Sequence, residues 1–263
     1  MSSTTPHIQL ERDGRVQLIR IHRPEKRNAL TQPMYRALAQ ALTSAAQDDG
    51  VRVALLAGTP EAFTAGNDLG DFLAHPLDPQ PGAPEESPVA RFLHALVHFP
   101  KPLVAAVNGV AVGIGTTMLL HCDLVYAGET ARFHLPFVDL GLVPEAGSSY
   151  LLPTALGQRR AAELLLLAEP FGAAQAQELG LVNQVLPPEQ VEPVARERAH
   201  ALARKAPMAL RLTKQLMRRA VLDTLEETMA VEMYHFAAQL QGPEAAEALQ
   251  AFFEKRRPDF SHL

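Results

Sequence analysis

Apolar and polar positions alternate from Val16 to Ile21, a pattern that predicts a half-buried strand. Thr31 is placed to cap a helix over Gln32–Gln47, with Pro33 tolerated in its first turn. Val53–Ala57 reads as a strand ending at Gly58. A helix over 89–98 leads to Pro100 and the strand Leu103–Val107. A glycine-bearing loop, a short apolar helix near 115–120 and a strand over 123–127 complete this region. Strand, loop and helix thus alternate three times, which predicts an α/β core. Beyond about residue 155 the pattern predicts helices alone, over 158–168, 173–179, 190–204, 206–220, Leu222–Leu240 and 243–255. Their apolar residues fall at helical spacing, as Leu210, Leu216 and Met217 do. Segment 75–88 (HPLDPQPGAPEESP) is rich in Pro, Asp, Glu and Gly and is expected to be mobile. No internal repeat has a fixed period.

A chain of 263 residues, 47% apolar and 20% charged, can bury a large core as an ordinary globular protein. No apolar run approaches the roughly 20 residues that span a bilayer. The first residues are polar and lack the build of a signal peptide, so no membrane association and a cytoplasmic location are expected. The net charge of −5 gives no basis for a nucleic-acid partner. Arg218-Arg219 and Lys255-Arg256-Arg257 read as solvated helix ends. Cys122 lies in an apolar run and reads as a buried, inert thiol.

Two loops place flexible backbone just before a helix. One is Phe63-Thr64-Ala65-Gly66-Asn67-Asp68-Leu69, after the Val53–Ala57 strand. Gly66 permits unusual backbone angles, and Asp68 can cap the helix that follows. The other is Asn108-Gly109-Val110-Ala111-Val112-Gly113-Ile114-Gly115. Unpaired N–H groups at helix starts suit a developing negative charge on oxygen, and two such loops converging would make a two-donor oxyanion hole. Glycines before a helix are more commonly plain turn formers, and the residues alone leave that alternative open. Neither a phosphate-binding P-loop nor a dinucleotide fingerprint is present, since the lysine of one and the third glycine of the other are missing.

Arg23-Pro24-Glu25-Lys26-Arg27-Asn28-Ala29-Leu30, Phe63 through Leu69, and Lys101-Pro102-Leu103-Val104-Ala105-Ala106-Val107-Asn108-Gly109 resemble, in order and spacing, the crotonase superfamily of enoyl-CoA hydratases and isomerases. The likeness continues through Cys122-Asp123, the stretch Ala176 to Val182 and Phe253-Glu254-Lys255-Arg256. It implies an α/β spiral of strand–strand–helix turns over residues 1–200, holding an acyl-CoA site. A helical segment over 201–263 would pack a homotrimer or homohexamer. It further implies that the Asn67 and Ile114 backbone N–H groups form the oxyanion hole, with Gly66 and Gly113 beside them. Ala65 would meet the adenine, and Lys26, near Asn28 and Ala29, the phosphates. Asp68, Leu69, Phe137 and Leu142 would also line the acyl-CoA site. Lys255, with Phe252, would reach the CoA of a neighbouring subunit. No cofactor is implied, since coenzyme A enters as part of the substrate.

Hydration in this family resembles a two-carboxylate reaction, and here Thr117 and Phe137 stand where those glutamates belong. Glu145 follows Pro144 at what reads as a helix start. The stretch Phe133-His134-Leu135-Pro136-Phe137 through Tyr150, together with Gly66-Asn67-Asp68-Leu69, is similar to the peroxisomal-type Δ3,Δ2-enoyl-CoA isomerases, in which a glutamate at this position is the base. The plain alternative for Glu145 is an acid that favours a helix dipole. One carboxylate suffices to shift a double bond, because no water is activated. A hydratase and a non-catalytic acyl-CoA-binding protein are the alternatives carried forward. Gly147-Ser148-Ser149 is not a hydrolase nucleophile elbow, and His121, Cys122 and His134 lack metal-ligand spacing, so no metal is expected.

Overall fold

The computed structural model describes residues 5–74 and 87–263. Strand β1 (Ile8–Asp13) pairs antiparallel with β2 (Val16–Ile21), and helix α1 (Gln32–Gln47) returns the chain to β3 (Val53–Ala57). Strands then come in consecutive pairs. β3 is followed by β4 (Ala62–Thr64), β5 (Leu103–Val107) by β6 (Val110–Val112), and β7 (Leu124–Gly128) by β8 (Arg132–His134). Later come β9 (Phe171–Gly172) and β10 (Gln184–Leu186). The first member of each pair joins a sheet of order β1-β2-β3-β5-β7-β10, and the second joins a sheet of order β4-β6-β8-β9. Pairing is parallel except at β1–β2 and β8–β9. The chain thus climbs two sheets together, one strand in each per turn. The link from β5 to β6 is only Asn108-Gly109. Gly109 has φ +65, and a Cβ there would lie 1.9 Å from the Glu61 carbonyl oxygen, so only glycine fits.

Between the strands lie α2 (Leu69–Ala74), α3 (Pro88–Val97) and the short α4 (Ile114–Thr117). After them come α5 (Ser148–Leu156), α6 (Gln158–Ala162), α7 (Ala173–Glu178), α8 (Pro188–Ala203), α9 (Pro207–Arg218), α10 (Leu222–Leu240) and α11 (Pro243–Glu254). All residues of β3 and β5 are buried, because helices cover both faces of the large sheet. On one face Val191, Ala195 and Ala199 of α8 pack on Val16, Leu18, Leu55 and Val104. On the other, α1 and α3 pack on Ile19, Ile21, Leu56 and Ala105. This double cover corrects the expectation of a half-buried β2.

Three further expectations are corrected. The region beyond residue 155 is not helical throughout, because β9 and β10 are added to the edges of existing sheets. With two and three residues they are too short to show a period. The helix expected over 158–168 is α6 followed by a π turn, Glu163–Leu167, that stops at Ala168 with φ +52. Thr31 has the extended backbone of an N-cap, yet its hydroxyl caps nothing. The Gln32 N–H instead donates to Asp71 Oδ2 at 2.8 Å. The segment expected to be mobile lies outside the described residues apart from 87 and 88, where Pro88 begins α3. Leu55 is fully buried between the layers. Leu55→Ala should lower the unfolding free energy by about 2–5 kcal/mol, as measured by denaturant titration.

Candidate active site

The two glycine loops meet, and a third loop fastens one of them. Leu30 N–H donates to the Gly66 carbonyl (2.8 Å), Asp68 N–H to that of Leu30 (2.9 Å) and Ala65 N–H to that of Arg27 (2.9 Å). This zips residues 27–30 to 65–68 and brings Lys26, Ala29, Ala65 and Asn67 together. Gly66 has φ +88, and a Cβ there would lie 2.8 Å from the Val112 carbonyl oxygen. At Gly115 a Cβ would lie 2.7 Å from Thr64 Cγ2. The loops are therefore in backbone contact because both positions lack side chains. Among the described residues, neither Asn67 N–H nor Ile114 N–H has an acceptor, whereas Gly66 N–H donates to Thr64 Oγ1 and the Asp68 and Gly113 N–H groups to carbonyls. Gly113, at φ +54, turns the chain into α4 and donates its own N–H to the His134 carbonyl.

Glu145 lies in the turn before α5. That helix begins only at Ser148, so the expected placement of Glu145 at a helix start is corrected. The fully buried Thr117 hydroxyl donates to Glu145 Oε1. Thr117, one of the two residues that stand where the hydration glutamates belong, is thus the hydrogen-bond partner of Glu145. The turn is strained and firmly held: Ala146 has φ +57 and Gly147 φ +73. His121 Nε2 donates to the Ala146 carbonyl at 2.8 Å, and Ser148 Oγ donates to that of Glu145 at 2.7 Å. Glu232 of α10 accepts from Gly147 N–H at 2.6 Å and from Ser149 N–H at 2.9 Å. Two N–H groups at the start of α5 are therefore taken by Glu232, not by Glu145.

Burial pushes the Glu145 carboxyl up to about 8. The Thr117 hydrogen bond pulls the other way, and the charge of Glu232 adds to the rise. His121 is driven down to about 4 by burial, so it is neutral and its Nε2 carries the proton given to Ala146. Tyr35 of α1 is fully enclosed. Its hydroxyl donates to Asn67 Oδ1 at 2.5 Å, and burial together with the nearby Glu145 charge raises its pKa. Tyr35 therefore links the Asn67 loop to the neighbourhood of Glu145. Sequence reasoning missed both Tyr35 and Glu232. Each had a signal: a phenol on the buried face of α1 needs a partner, and Glu232 shares a helical stripe with Leu225, Met229 and Phe236.

Other residues expected at the site divide into two groups. Lys26 is exposed on the turn Pro24–Lys26, and Leu69 starts α2 directly after Asp68, which caps that helix as expected through the Asp71 N–H. Phe137 is buried and bonded through its carbonyl to Leu142 N–H. The side chains of Asn28 and Asp68 are committed elsewhere. Asn28 is fully buried at φ +60; its amide donates to the Ala62 and Phe63 carbonyls, and its Oδ1 accepts from Arg23 N–H. Asp68 pairs with Arg23 at 2.7 Å. Both brace the loop rather than project from it. Lys255 ends α11, exposed, at φ +56. Cys122 is held as an unreactive thiol, since burial raises it far above the usual thiol range.

Two N–H groups without an acceptor thus lie on touching loops, and Tyr35 connects the Asn67 loop with the surroundings of the Glu145 carboxyl, an arrangement chemically suited to proton transfer beside a carbonyl that takes on negative charge. A family model described as enoyl-CoA hydratase/isomerase matches residues 11–262. The 2,3-dehydroadipyl-CoA hydratase of Escherichia coli (strain K12) is 36% identical over 95% of this chain and 97% of its own. Enoyl-CoA delta isomerase 2 of Rattus norvegicus is 35% identical over 95% of this chain and 64% of its own. The crystal structure of an enoyl-CoA hydratase/isomerase from Pseudoalteromonas atlantica T6c superposes with a TM-score of 0.91 at 41% identity, covering 97% of this chain and all of that one. The chain belongs to the enoyl-CoA hydratase/isomerase family of the crotonase superfamily and has its fold.

The enclosed carboxyl also makes stability depend on pH. The Glu145 carboxyl is raised from 4.5 to about 8 on folding, so the folded state holds its proton more tightly than the unfolded chain does. Its contribution is fully present below about 4.5 and is lost as pH rises through 8. Glu145→Gln should therefore raise the melting temperature by an amount that grows across this window and then levels off, read by thermal melts over pH.

Proposed function

We propose that this enzyme moves the double bond of an acyl-CoA thioester from Δ3 to Δ2, with Glu145 as the only proton carrier. The observation that carries the reading is the Thr117–Glu145 contact: a threonine occupies one of the family's two hydration carboxylate positions and bonds the Glu145 carboxyl. Glu145 takes a proton from C2 of the 3-enoyl thioester. The charge moves to the thioester oxygen, where Asn67 and Ile114 N–H donate to it, and the same carboxyl returns the proton at C4. A carboxyl held near 8 is suited to both halves, as base and then as acid. Ala65, Gly66, Gly113 and Lys26 border the CoA, Phe137, Leu142 and Leu69 the acyl chain. No cofactor takes part. Hydration is a second reading, favoured by the likeness to the 2,3-dehydroadipyl-CoA hydratase. We also infer a homotrimer or homohexamer packed through the segment after residue 200. In support, α9 turns Met208, Leu212, Leu216 and Met217 to solvent and buries only Lys214.

Separate incubation with 3-enoyl-CoA and 2-enoyl-CoA tests the reaction. The expected result is conversion of the first to 2-enoyl-CoA, and a kcat ~10²–10⁴-fold lower in Glu145→Gln with CoA affinity retained. Rapid formation of 3-hydroxyacyl-CoA without isomerisation would make it a hydratase, and unchanged substrate beside tight CoA binding a non-catalytic binder. Light scattering should return a multiple of three chains, and Leu216→Glu with Met217→Glu should shift it toward monomer.

A further inference from the structure

The proton transfer proposed above leaves one enclosed acid without a task. Glu232 is 6% exposed and lies on the inner stripe of α10. Its Oε2 accepts from Gly147 N–H at 2.6 Å, and its Oε1 accepts from Ser149 N–H at 2.9 Å and from the Ser149 hydroxyl at 2.5 Å. Among the described residues it has no ion-pair partner. A glutamine in this place would offer an oxygen to one side of the grip and an NH2 to the other, so donors on both oxygens call for a carboxyl. Burying that carboxyl without a cation is unfavourable.

What lies beyond the gripped residues is the base. Gly147 is two residues after Glu145, and both Ala146 and Gly147 have left-handed backbone angles. A Cβ on Gly147 would lie 2.1 Å from Leu225 Cδ1 of α10, so turn and helix are packed without slack. His121 grips the turn from the α4 side and Glu232 from the α10 side. We propose that Glu232 is a positioning residue for Glu145: from α10 it fixes the turn that aims the base, and it sets a second negative charge behind it. This rests on the reading of Glu145 as the base.

The groups that face Glu145 are the Thr117 hydroxyl from α4, the Tyr35 phenol from α1, Glu232 from α10 and, through Ala146, the His121 imidazole. Tyr35 is held protonated by burial and His121 is neutral above about 4. Burial raises Glu232 above the usual carboxylate range, and the three hydrogen bonds donated by Ser149 and Gly147 oppose that rise and favour its ionised form. Its charge disfavours ionisation of Glu145 and so keeps the base in the range where it can also return a proton.

The test compares wild type, Glu232→Gln and Ser149→Ala in two measurements. One is the kcat–pH profile on a 3-enoyl-CoA, and the other is carboxyl-carbon NMR titration of Glu145, assigned against Glu145→Gln. In Glu232→Gln the Glu145 midpoint and the acid limb of kcat should both move to lower pH. Plateau kcat should fall by about 10- to 100-fold as the turn loosens. Ser149→Ala, at an exposed position, removes one hydrogen bond that favours ionised Glu232. It should move both readouts the same way by less, and it carries the test if Glu232→Gln does not fold. A midpoint that stays in place in the folded variants overturns the proposal, leaving Glu232 a structural cap. Full activity in Glu145→Gln would instead sink the catalytic reading of Glu145, while the NMR midpoint would still report on the coupling.

Discussion

Holding the Glu145 carboxyl away from water without a cation is the constraint around which this site is arranged. A carboxylate removed from water either finds compensation or takes up a proton. At Glu145 the compensation is a single hydroxyl from Thr117, so burial prevails and the group titrates near 8. Such a group is tolerable only if its turn cannot swing it out into solvent. That explains why the turn carrying it is held by a neutral histidine, a serine hydroxyl and a second acid, each on a different backbone atom.

The same logic governs the loops that carry Asn67 and Ile114. Two backbone N–H groups can face a ligand only if the loops bearing them are supported by other bonds. Asn28 does much of this work, with its amide on two carbonyls of the β4 region and its backbone in the left-handed region. Arg23 joins in by pairing with Asp68. The glycines at 66 and 115 let the two loops touch through backbone, a distance no other residue type permits. Tyr35 then ties the loop holding Asn67 to the side of the site where Glu145 lies.

Family membership leaves the reaction open, because relatives of similar identity include a hydratase and an isomerase. The local chemistry is what separates them. Hydration asks for two carboxylates to manage a water, whereas shifting a double bond asks one group to be base and acid in turn. Threonine at position 117 and phenylalanine at 137 are not carboxylates, and this, with the bond from Thr117 to Glu145, supports the second arrangement as the proposed one.

Period and composition were enough to locate α1, β2, β3, β5 and α10, because long apolar runs and helical stripes are local properties of the chain. The two glycine loops and Glu145 were likewise visible as residue types in a familiar order. Tertiary structure decided what those residues do. Strands of two or three residues, such as β9 and β10, exist only because a sheet edge is there to receive them. Asn28 and Asp68 read as ligand contacts along the chain, yet folding turns their side chains to the backbone that braces the loop. Glu145 and Thr117 are 28 residues apart, and Glu232 is 83 to 85 residues from its donors. Proximity at such separations is fixed by packing of whole layers, and the titration of an enclosed acid depends on that packing. The sequence therefore singled out Glu145, and only the fold set its partner, its burial and the grip on its turn.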